Sequence, residues 1–383
     1  MFIQSIVGQI LLSAYILWRG HQALPKKKSW QIPFVFVFVL EIVVFLIGYL
    51  LSNDLSDKIY VPLMLVCNTW FIATMYLAMA LLIVDFLRQI NKRWAWYPMF
   101  VNLYWEKTKT LLFLFLIVGI TGLMIFGYRN VRYPFVQHVY LTIPKIAEGR
   151  DSLTIVLASD WHISEMIGKK NVKHIVDLCN QQNADLIVIP GDLVDYEIRY
   201  AEKKQIEDDL KQLKASMGVY MSLGNHEYRA NRYAKLRWIE KTGINLLVDS
   251  VFVPPDSSFY LIGRDDYVNR QNRASIHALM QQVDTLKPVI MLDHQPYRLN
   301  EAVMNQIDLV LQGHTHNGQV WPYSLLLHLV YECPYGYYRK GNTHFFVSSG
   351  VGCSGPPYRI GTHSEIIVFH LRFKSNDNKL DLN

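Results

Sequence analysis

The stretch 186–195 reads LIVIPGDLVD and decides the fold of the larger part of this chain. Its four leading apolar residues, three of them Ile or Val, predict a short strand that is buried on both faces of a sheet. Pro190 and Gly191 end the strand, and Asp192 and Asp195 follow. Because sites in open α/β sheets form beyond the carboxyl ends of the strands, the two aspartates are candidates for a functional site.

Similar apolar runs lie on both sides of this stretch and predict further strands, at residues 153–158, 219–223, 259–262, 289–292, 309–311, 345–347 and 366–369. Polar stretches with helical spacing separate several of them, at residues 171–182, 197–216 and 273–286. This alternation predicts a layered α/β domain with two sheets and helices on the outside.

Five of the predicted strands end in oxygen or imidazole groups: DWH (160–162), GDLVD (191–195), GNHE (224–227), DHQP (293–296) and GHTH (313–316). A single Asp or His after a strand is commonly a turn, cap or surface residue, but five such ends in one chain indicate a common site. Carboxylates and imidazoles without thiolates favour divalent Mn, Fe, Ni or Zn. The glycines of these blocks predict tight turns that bring the backbone close to the ions.

The five ordered blocks closely resemble those of the calcineurin-like metallophosphoesterases. Two further stretches, GHTHNGQVWP (313–322) and SSGVGCSGPPYRIG (348–361), resemble the bacterial branch of this family that is often tethered to membranes. The resemblance implies two divalent metal ions of the Mn, Fe, Zn or Ni class. It implies one ion held by Asp160, His162, Asp192 and His316, and a second held by Asp192, Asn225, His294 and His314, with Asp192 as the bridge.

The resemblance also assigns catalytic roles to two residues. His226 matches the position that contacts the substrate phosphate and assists the leaving group, and Asp195 matches the carboxylate that orients this histidine. Tyr196 stands where the protein Ser/Thr phosphatases of the family carry an arginine. The missing phosphate clamp argues against a phosphoprotein phosphatase.

The first third of the chain has a different composition. Residues 1–150 carry 14 Lys+Arg and 6 Asp+Glu, a net charge of +8, which leaves 24 and 26, or −2, for the rest of the +6 chain. Four apolar runs, at 2–18, 32–51, 61–87 and 111–128, approach the roughly 20 residues that a spanning helix needs. We therefore expect a four-helix transmembrane domain over residues 1–130, a metallophosphoesterase domain over 131–374 and a polar tail over 375–383. A cleaved signal peptide is the alternative for the first run.

Lys and Arg in short loops predict the orientation, because such loops stay in the cytoplasm. Residues 19–28 and 88–109 are rich in them, whereas the loop between the second and third runs has only Lys58. We therefore expect a multi-pass cell-membrane protein whose catalytic domain is extracytoplasmic. Glu41 lies in the middle of the second apolar run, and Asp85 lies near the end of the third. Glu41 is either bonded to a neighbouring helix or marks a transport function, whereas we expect Asp85 at the membrane interface. Because the second part is slightly acidic, we expect no nucleic-acid partner.

The segment 321–338, WPYSLLLHLVYECPYGYY, is unusually apolar for a loop after a metal motif. It is either core packing or an apolar lid that dips into the bilayer. The second interpretation points to a lipid-linked phosphoester, as in related enzymes that cleave UDP-diacylglucosamine, with membrane lipid as a partner. Cys333 and Cys353 either pair in an oxidising compartment or are free thiols.

The sequence thus predicts a membrane-anchored dinuclear phosphoesterase, acting as a phosphodiesterase or pyrophosphatase on a lipid-linked or other extracytoplasmic substrate. Two alternatives stay open: a phosphomonoesterase of small molecules, and a catalytically quiet membrane sensor or scaffold.

Overall fold

The computed structural model describes the backbone of residues 2–50 and 55–374, and the side chains of residues 7–48 and 55–374. The predicted polar tail, 375–383, lies outside the described residues. The chain divides into two compact units, Met1–Gly127 and Tyr128–Asn383.

The first unit is helical. Its helices are α1 (Phe2–Ala23), α2 (Lys28–Leu50), α3 (Asp57–Trp94), α4 (Met99–Leu103) and α5 (Trp105–Arg132). Among the described residues, three helices rather than the expected four are long and apolar enough to cross a membrane: Lys28–Gly48, Asp57–Trp94 and Trp105–Arg132. The first expected span, 2–18, falls in α1, and the side chains of its first residues, up to residue 6, lie outside the described residues.

Both acidic residues of the apolar runs are paired with a neighbouring helix. Gln9 of α1 donates a 3.4 Å hydrogen bond to buried Glu41 of α2 and accepts one of 3.2 Å from Thr74 of α3. Asp85 of α3 accepts a 2.8 Å hydrogen bond from Tyr15 and forms an ion pair with Arg19. The contact of Glu41 agrees with the interpretation that it is bonded to a neighbouring helix. Asp85, expected only at the interface, is also paired with α1.

The second unit contains two mixed sheets. In chain order the strands are β1 (Phe135–Ile143), β2 (Ser152–Leu157), β3 (Leu186–Pro190), β4 (Val219–Ser222), β5 (Asn245–Leu246), β6 (Ser250–Phe252), β7 (Tyr260–Gly263), β8 (Val289–Leu292), β9 (Leu309–Gln312), β10 (Gly336–Lys340), β11 (Thr343–Val347) and β12 (Glu365–Phe373). Each sheet has six strands, in the orders β1-β12-β2-β3-β4-β5 and β10-β11-β9-β8-β7-β6. The predicted two-sheet α/β architecture is confirmed.

The pairing of the strands determines at which edge of each sheet their carboxyl ends lie. β2, β3, β4 and β5 run parallel to one another, as do β7, β8, β9 and β11. The carboxyl ends of β2, β3 and β4 therefore lie at one edge of the first sheet, and those of β8 and β9 at one edge of the second.

The core explains why the strands are apolar at nearly every position. In β2, Ile155 and Leu157 pack between the two sheets, whereas Val156 points to the outer layer. That outer layer includes α6 (Lys169–Asn180), in agreement with the helix predicted at 171–182. Burial on both faces removes the polar alternation of a half-exposed strand.

The other helices of this unit are short: α7 (Arg199–Lys203), α8 (Ile206–Leu210), α9 (Arg232–Ile239), α10 (Ile276–Met280), α11 (Leu299–Met304) and α12 (Tyr323–Leu327). The single helices predicted at 197–216 and 273–286 are therefore wrong in extent. Gln205 breaks the first of them with a φ of 51°, a left-handed conformation that no α-helix contains. Cys333 and Cys353 are both free and lie in different apolar clusters, so the interpretation as free thiols is the correct one.

Candidate metal centre

The loops that follow β2, β3, β4, β8 and β9 bring all seven predicted metal ligands to one place. Each of these loops leaves the carboxyl end of a parallel strand, as the sequence pattern predicts. Two groups of predicted ligands form there, and Asp192 of the second group lies 3.7 Å from His162 of the first.

The first group contains Asp160, His162 and His316, whose candidate ligand atoms lie within 4.8 Å of one another. Nε2 of His162 is 2.9 Å from Nε2 of His316 and 3.8 Å from Oδ1 of Asp160. Nε2 of His316 is 3.5 Å from the same carboxylate oxygen. All three residues are buried, so their lone pairs converge in a space that bulk water does not fill.

The second group contains Asp192, Asn225, His294 and His314. Nε2 of His294 is 3.1 Å from Oδ2 of Asp192 and 3.2 Å from Oδ1 of Asn225. Nδ1 of His314 is 2.8 Å from the same amide oxygen. Oδ2 of Asp192 also lies 3.7 Å from Nε2 of His162 in the first group.

The donor set fits divalent metal ions. Buried carboxylates, an amide oxygen and imidazoles suit Mn, Fe, Ni or Zn, and a cation satisfies lone pairs that otherwise face one another. The outer nitrogens of two rings are already engaged: Nδ1 of His294 lies 2.6 Å from the carbonyl oxygen of Pro190, and Nδ1 of His162 lies 3.1 Å from Oδ1 of Asp195. Such contacts leave Nε2 to face the centre of each group.

The backbone is strained at the candidate ligands. Asp160, His162, Asp192, His314 and His316 all have a φ between 46° and 74°, a left-handed region that is uncommon for residues other than glycine. Strain of this kind persists where the surrounding structure imposes it, and it clusters at functional sites. These conformations turn side chains toward the centre immediately after a strand has ended.

Two glycines of the sequence blocks make room for the carboxylates. A Cβ atom on Gly224 would overlap the carboxylate of Asp192, and one on Gly313 would overlap that of Asp160. The predicted close approach of the backbone at these glycines is therefore present in the structure.

The predicted catalytic pair, His226 and Asp195, lies beside the first group. Nδ1 of His226 is 2.8 Å from the backbone carbonyl oxygen of Asp195 and 2.9 Å from its Oδ1. Burial would raise the pKa of Asp195, but the hydrogen bonds from His162 and His226 outweigh it and hold this pKa well below its usual range. With Nδ1 of His226 engaged, Nε2 is the nitrogen left to meet a substrate.

Three buried charged residues support the centre, although the sequence pattern gave them no role. Glu227 accepts hydrogen bonds from the backbone N–H groups of Asp192 at 2.8 Å, Leu193 at 2.9 Å and Gly224 at 2.8 Å. It thereby ties the loop after β3 to the loop after β4. Burial, together with the charge of Asp192, raises the pKa of Glu227. The signal was its place in the GNHE block, directly after His226.

Lys235 and Arg359 also hold the backbone near the centre, but they donate hydrogen bonds to carbonyl oxygens. Lys235 of α9 donates a 2.6 Å hydrogen bond to the carbonyl oxygen of His226. Arg359 donates to the carbonyl oxygens of Gly352 at 2.7 Å and His363 at 3.2 Å, and its Nη2 lies 3.1 Å from Nδ1 of His316. Burial lowers the pKa of both cations. The signal for Arg359 was the glycine-rich stretch 348–361 that contains it.

Comparison with known proteins gives a consistent result. Residues 153–318 match the family described as calcineurin-like phosphoesterase. A transmembrane protein with metallophosphoesterase domain from Danio rerio is 33% identical over 259 residues, which cover 64% of this chain and 59% of that protein. An uncharacterized metallophosphoesterase from Helicobacter pylori (strain J99) is 32% identical over 249 residues, 64% of this chain and 65% of that protein.

An uncharacterized metallophosphoesterase from Campylobacter jejuni is similar over both units, with 29% identity over 377 residues that cover 95% of this chain and 96% of that protein. The chain spans less than two thirds of the length of the Danio rerio and Helicobacter pylori relatives. The match at residues 153–318 contains all five blocks from which the centre is built. Residues 153–318 of the second unit therefore match the calcineurin-like phosphoesterase family.

Proposed function

We propose that the protein is a membrane-anchored, metal-dependent phosphoesterase with two divalent ions, and that it hydrolyses phosphodiester or pyrophosphate bonds. The observation that carries the proposal is the position of Asp192, whose Oδ2 lies within 3.7 Å of a histidine of each donor group. When bound, two divalent ions lower the pKa of a water molecule and neutralise charge on the phosphoryl oxygens.

The residues of the chain supply binding and proton transfer. Asp160, His162, Asp192 and His316 would hold one ion, and Asp192, Asn225, His294 and His314 would hold the other. His226 holds a proton on Nε2 and passes it to the leaving oxygen of the substrate, a task suited to an imidazole near neutral pH. Asp195 and Lys235 fix the ring and the backbone of this histidine.

The apolar segment 321–331 supports a lipid-linked substrate. Its side chains Leu325, Leu329 and Val330 are 60%, 82% and 61% exposed, so core packing does not account for them. The segment follows the metal motif directly, and the ring of Tyr331 lies 6.2 Å from that of His314. An exposed apolar surface beside a phosphoester site suits a substrate whose phosphoester group is attached to a lipid, because the surface can contact the acyl chains.

The extracytoplasmic position of the catalytic unit is part of the proposal. Lys and Arg residues favour a cytoplasmic location for the loops 19–28 and 88–109. The three spans α2, α3 and α5, counted from a cytoplasmic loop before α2, lead to the outside after Arg132. This holds whether or not α1 crosses the membrane.

The catalytically quiet alternative is disfavoured because all seven donors are present and converge. The test is hydrolysis of bis(p-nitrophenyl) phosphate and of p-nitrophenyl phosphate by the purified full-length protein with added Mn²⁺. We expect turnover of the diester and its loss in Asp192→Asn, with a parallel loss of bound metal measured by elemental analysis. Asp208→Asn, at an exposed aspartate, is the matched control. A wild-type protein that binds metal but hydrolyses no phosphoester would contradict the proposal.

A further inference from the structure

A cavity of about 460 Å³ lies within the first unit, far from the residues of the metal centre in sequence. Its walls come from the C-terminal turns of α1, from α3, from the connection around α4 and from α5. The loops that border it are those whose Lys and Arg content predicts a cytoplasmic location.

The charged residues that line the cavity all have the same sign. They are Arg19, Lys26, Arg88 and Lys109, and the lining contains no Asp or Glu among the residues described. Arg19 pairs with Asp85, and Lys109 pairs with Glu106 at 2.7 Å. The other two cations, Lys26 and Arg88, form no ion pair with a carboxylate in the part of the chain that the structure describes.

The contacts of these two cations are weak ones. Lys26 donates a 3.1 Å hydrogen bond to the backbone carbonyl oxygen of His21, and the guanidinium group of Arg88 lies 5.2 Å from the centre of the Trp105 ring. A backbone carbonyl and an aromatic face neutralise little of a full positive charge. The cavity therefore has a net positive rim.

The rest of the lining is apolar and aromatic. Leu112 and Leu116 of α5 continue from the rim along the apolar part of the helix, and buried Phe113 closes the inner wall. Trp96 and Tyr97 stand at the rim, where aromatic residues of membrane proteins meet the headgroup layer. A ligand of matching shape has an anionic head and an apolar tail.

We propose that this cavity binds one anionic phospholipid of the cytoplasmic leaflet, with its phosphate at Lys26 and Arg88 and an acyl chain along Leu112 and Leu116. Basic pockets between transmembrane helices on the cytoplasmic side bind anionic headgroups in this manner. The site is independent of the phosphoesterase proposal, because each lining residue belongs to the first unit.

The experiment is lipid titration of the purified full-length protein in detergent, followed by native mass spectrometry. The probes are phosphatidylglycerol, phosphatidylcholine and sn-glycerol 3-phosphate. The test variant is Lys26→Gln, Arg88→Gln, Lys109→Gln. The control variant, Lys27→Gln, Arg93→Gln, Lys107→Gln, removes the same charges at exposed neighbours that do not line the cavity.

We expect the wild type to bind phosphatidylglycerol about tenfold more tightly than phosphatidylcholine, and the test variant to lose about tenfold of that affinity. The control variant stays within about twofold of wild type. Equal binding of the two lipids by wild type, or an equal loss in both triple variants, overturns the proposal. Displacement of the lipid by equimolar glycerol phosphate also overturns it, since the site would then recognise a free phosphate. The wild-type comparison decides the matter even where a variant fails to fold.

Discussion

Oδ1 of Asp195 lies 3.1 Å from Nδ1 of His162, a predicted metal ligand, and the same atom lies 2.9 Å from Nδ1 of His226. One carboxylate oxygen thus contacts both a predicted metal-ligating imidazole and the proposed proton donor. The sequence assigned Asp195 only to the orientation of His226. The structure adds a second contact, to the predicted metal ligand His162, and a separate prediction follows from this contact.

We expect Asp195→Asn to weaken metal binding roughly 10–100-fold, because the carboxylate that orients His162 is lost. The same substitution lowers kcat further through His226, whose contribution as a general acid is about 10²–10⁴-fold. Metal affinity is measured by titration of the apoprotein, and kcat at saturating metal. Asp177→Asn, at an exposed position of α6, is the control. Unchanged metal affinity with a reduced kcat would limit Asp195 to the role that the sequence assigned.

Glu227→Gln tests the connection between the loops after β3 and β4. Oε2 of Glu227 accepts from two backbone N–H groups, those of Asp192 and Gly224, and an amide nitrogen in its place would face an N–H donor. We expect a loss of about 1–3 kcal/mol in the free energy of unfolding, measured by denaturant titration. Glu202→Gln, at an exposed position of α7, should leave stability unchanged. A stable Glu227→Gln protein would show that the loops are held together by other contacts.

The sequence predicted the parts of the site in which an apolar strand pattern is followed at once by side chains that can bind a metal. Asp160 and Asn225 follow apolar runs directly, so strand ends and donors were visible together. Glu227, Lys235 and Arg359 resemble solvated surface residues in the sequence, yet each is buried because its partners are backbone groups of other segments. Such partners carry no side-chain signature, so the sequence blocks that contain Glu227 and Arg359 do not reveal what either side chain contacts.

The predicted lengths of two helices were wrong for a related reason. The stretch 197–216 has helical spacing, but its buried residues Ala201, Ile206 and Leu210 reach the core from two separate short helices. The break at Gln205 is imposed by tertiary packing, which outweighs the weak local preference for a continuous helix.

Removal of metal should destabilise the second unit. The buried imidazoles of His162 and His316 face each other with their Nε2 atoms 2.9 Å apart, and a bound cation would satisfy the lone pairs of both. A metal present at about 100 times its dissociation constant stabilises a folded protein by about 2.7 kcal/mol. We expect a chelator to lower the thermal midpoint of wild type and added Mn²⁺ to restore it. Asp192→Asn should respond weakly to both, and an equal response would show that the stabilising ion binds elsewhere.

The orientation of the membrane unit can be tested with reporters fused to the full chain. We expect alkaline phosphatase fused after Lys374 to be active, because this enzyme folds only outside the cytoplasm. The same reporter fused after Lys28 should be inactive, since the loop 19–28 is rich in Lys and Arg. An inactive fusion after Lys374, together with an active cytoplasmic reporter at the same site, would place the catalytic unit inside.

The exposed apolar segment predicts a preference for lipid substrates. Leu325→Ser with Leu329→Ser removes two side chains that are 60% and 82% exposed beside the metal motif, so little folding stability is lost. We expect kcat/KM for a lipid-linked diester in vesicles to fall at least about tenfold. The reason is that a leucine side chain that becomes buried against the bound lipid contributes roughly 1.5–3 kcal/mol of apolar contact. Turnover of bis(p-nitrophenyl) phosphate should stay within about twofold of wild type, since surface substitutions of this kind have small effects. Leu286→Ser with Met304→Ser removes equally exposed apolar side chains elsewhere and should affect neither substrate. Equal losses on the two substrates would mean that the segment shapes the metal centre and does not contact a lipid.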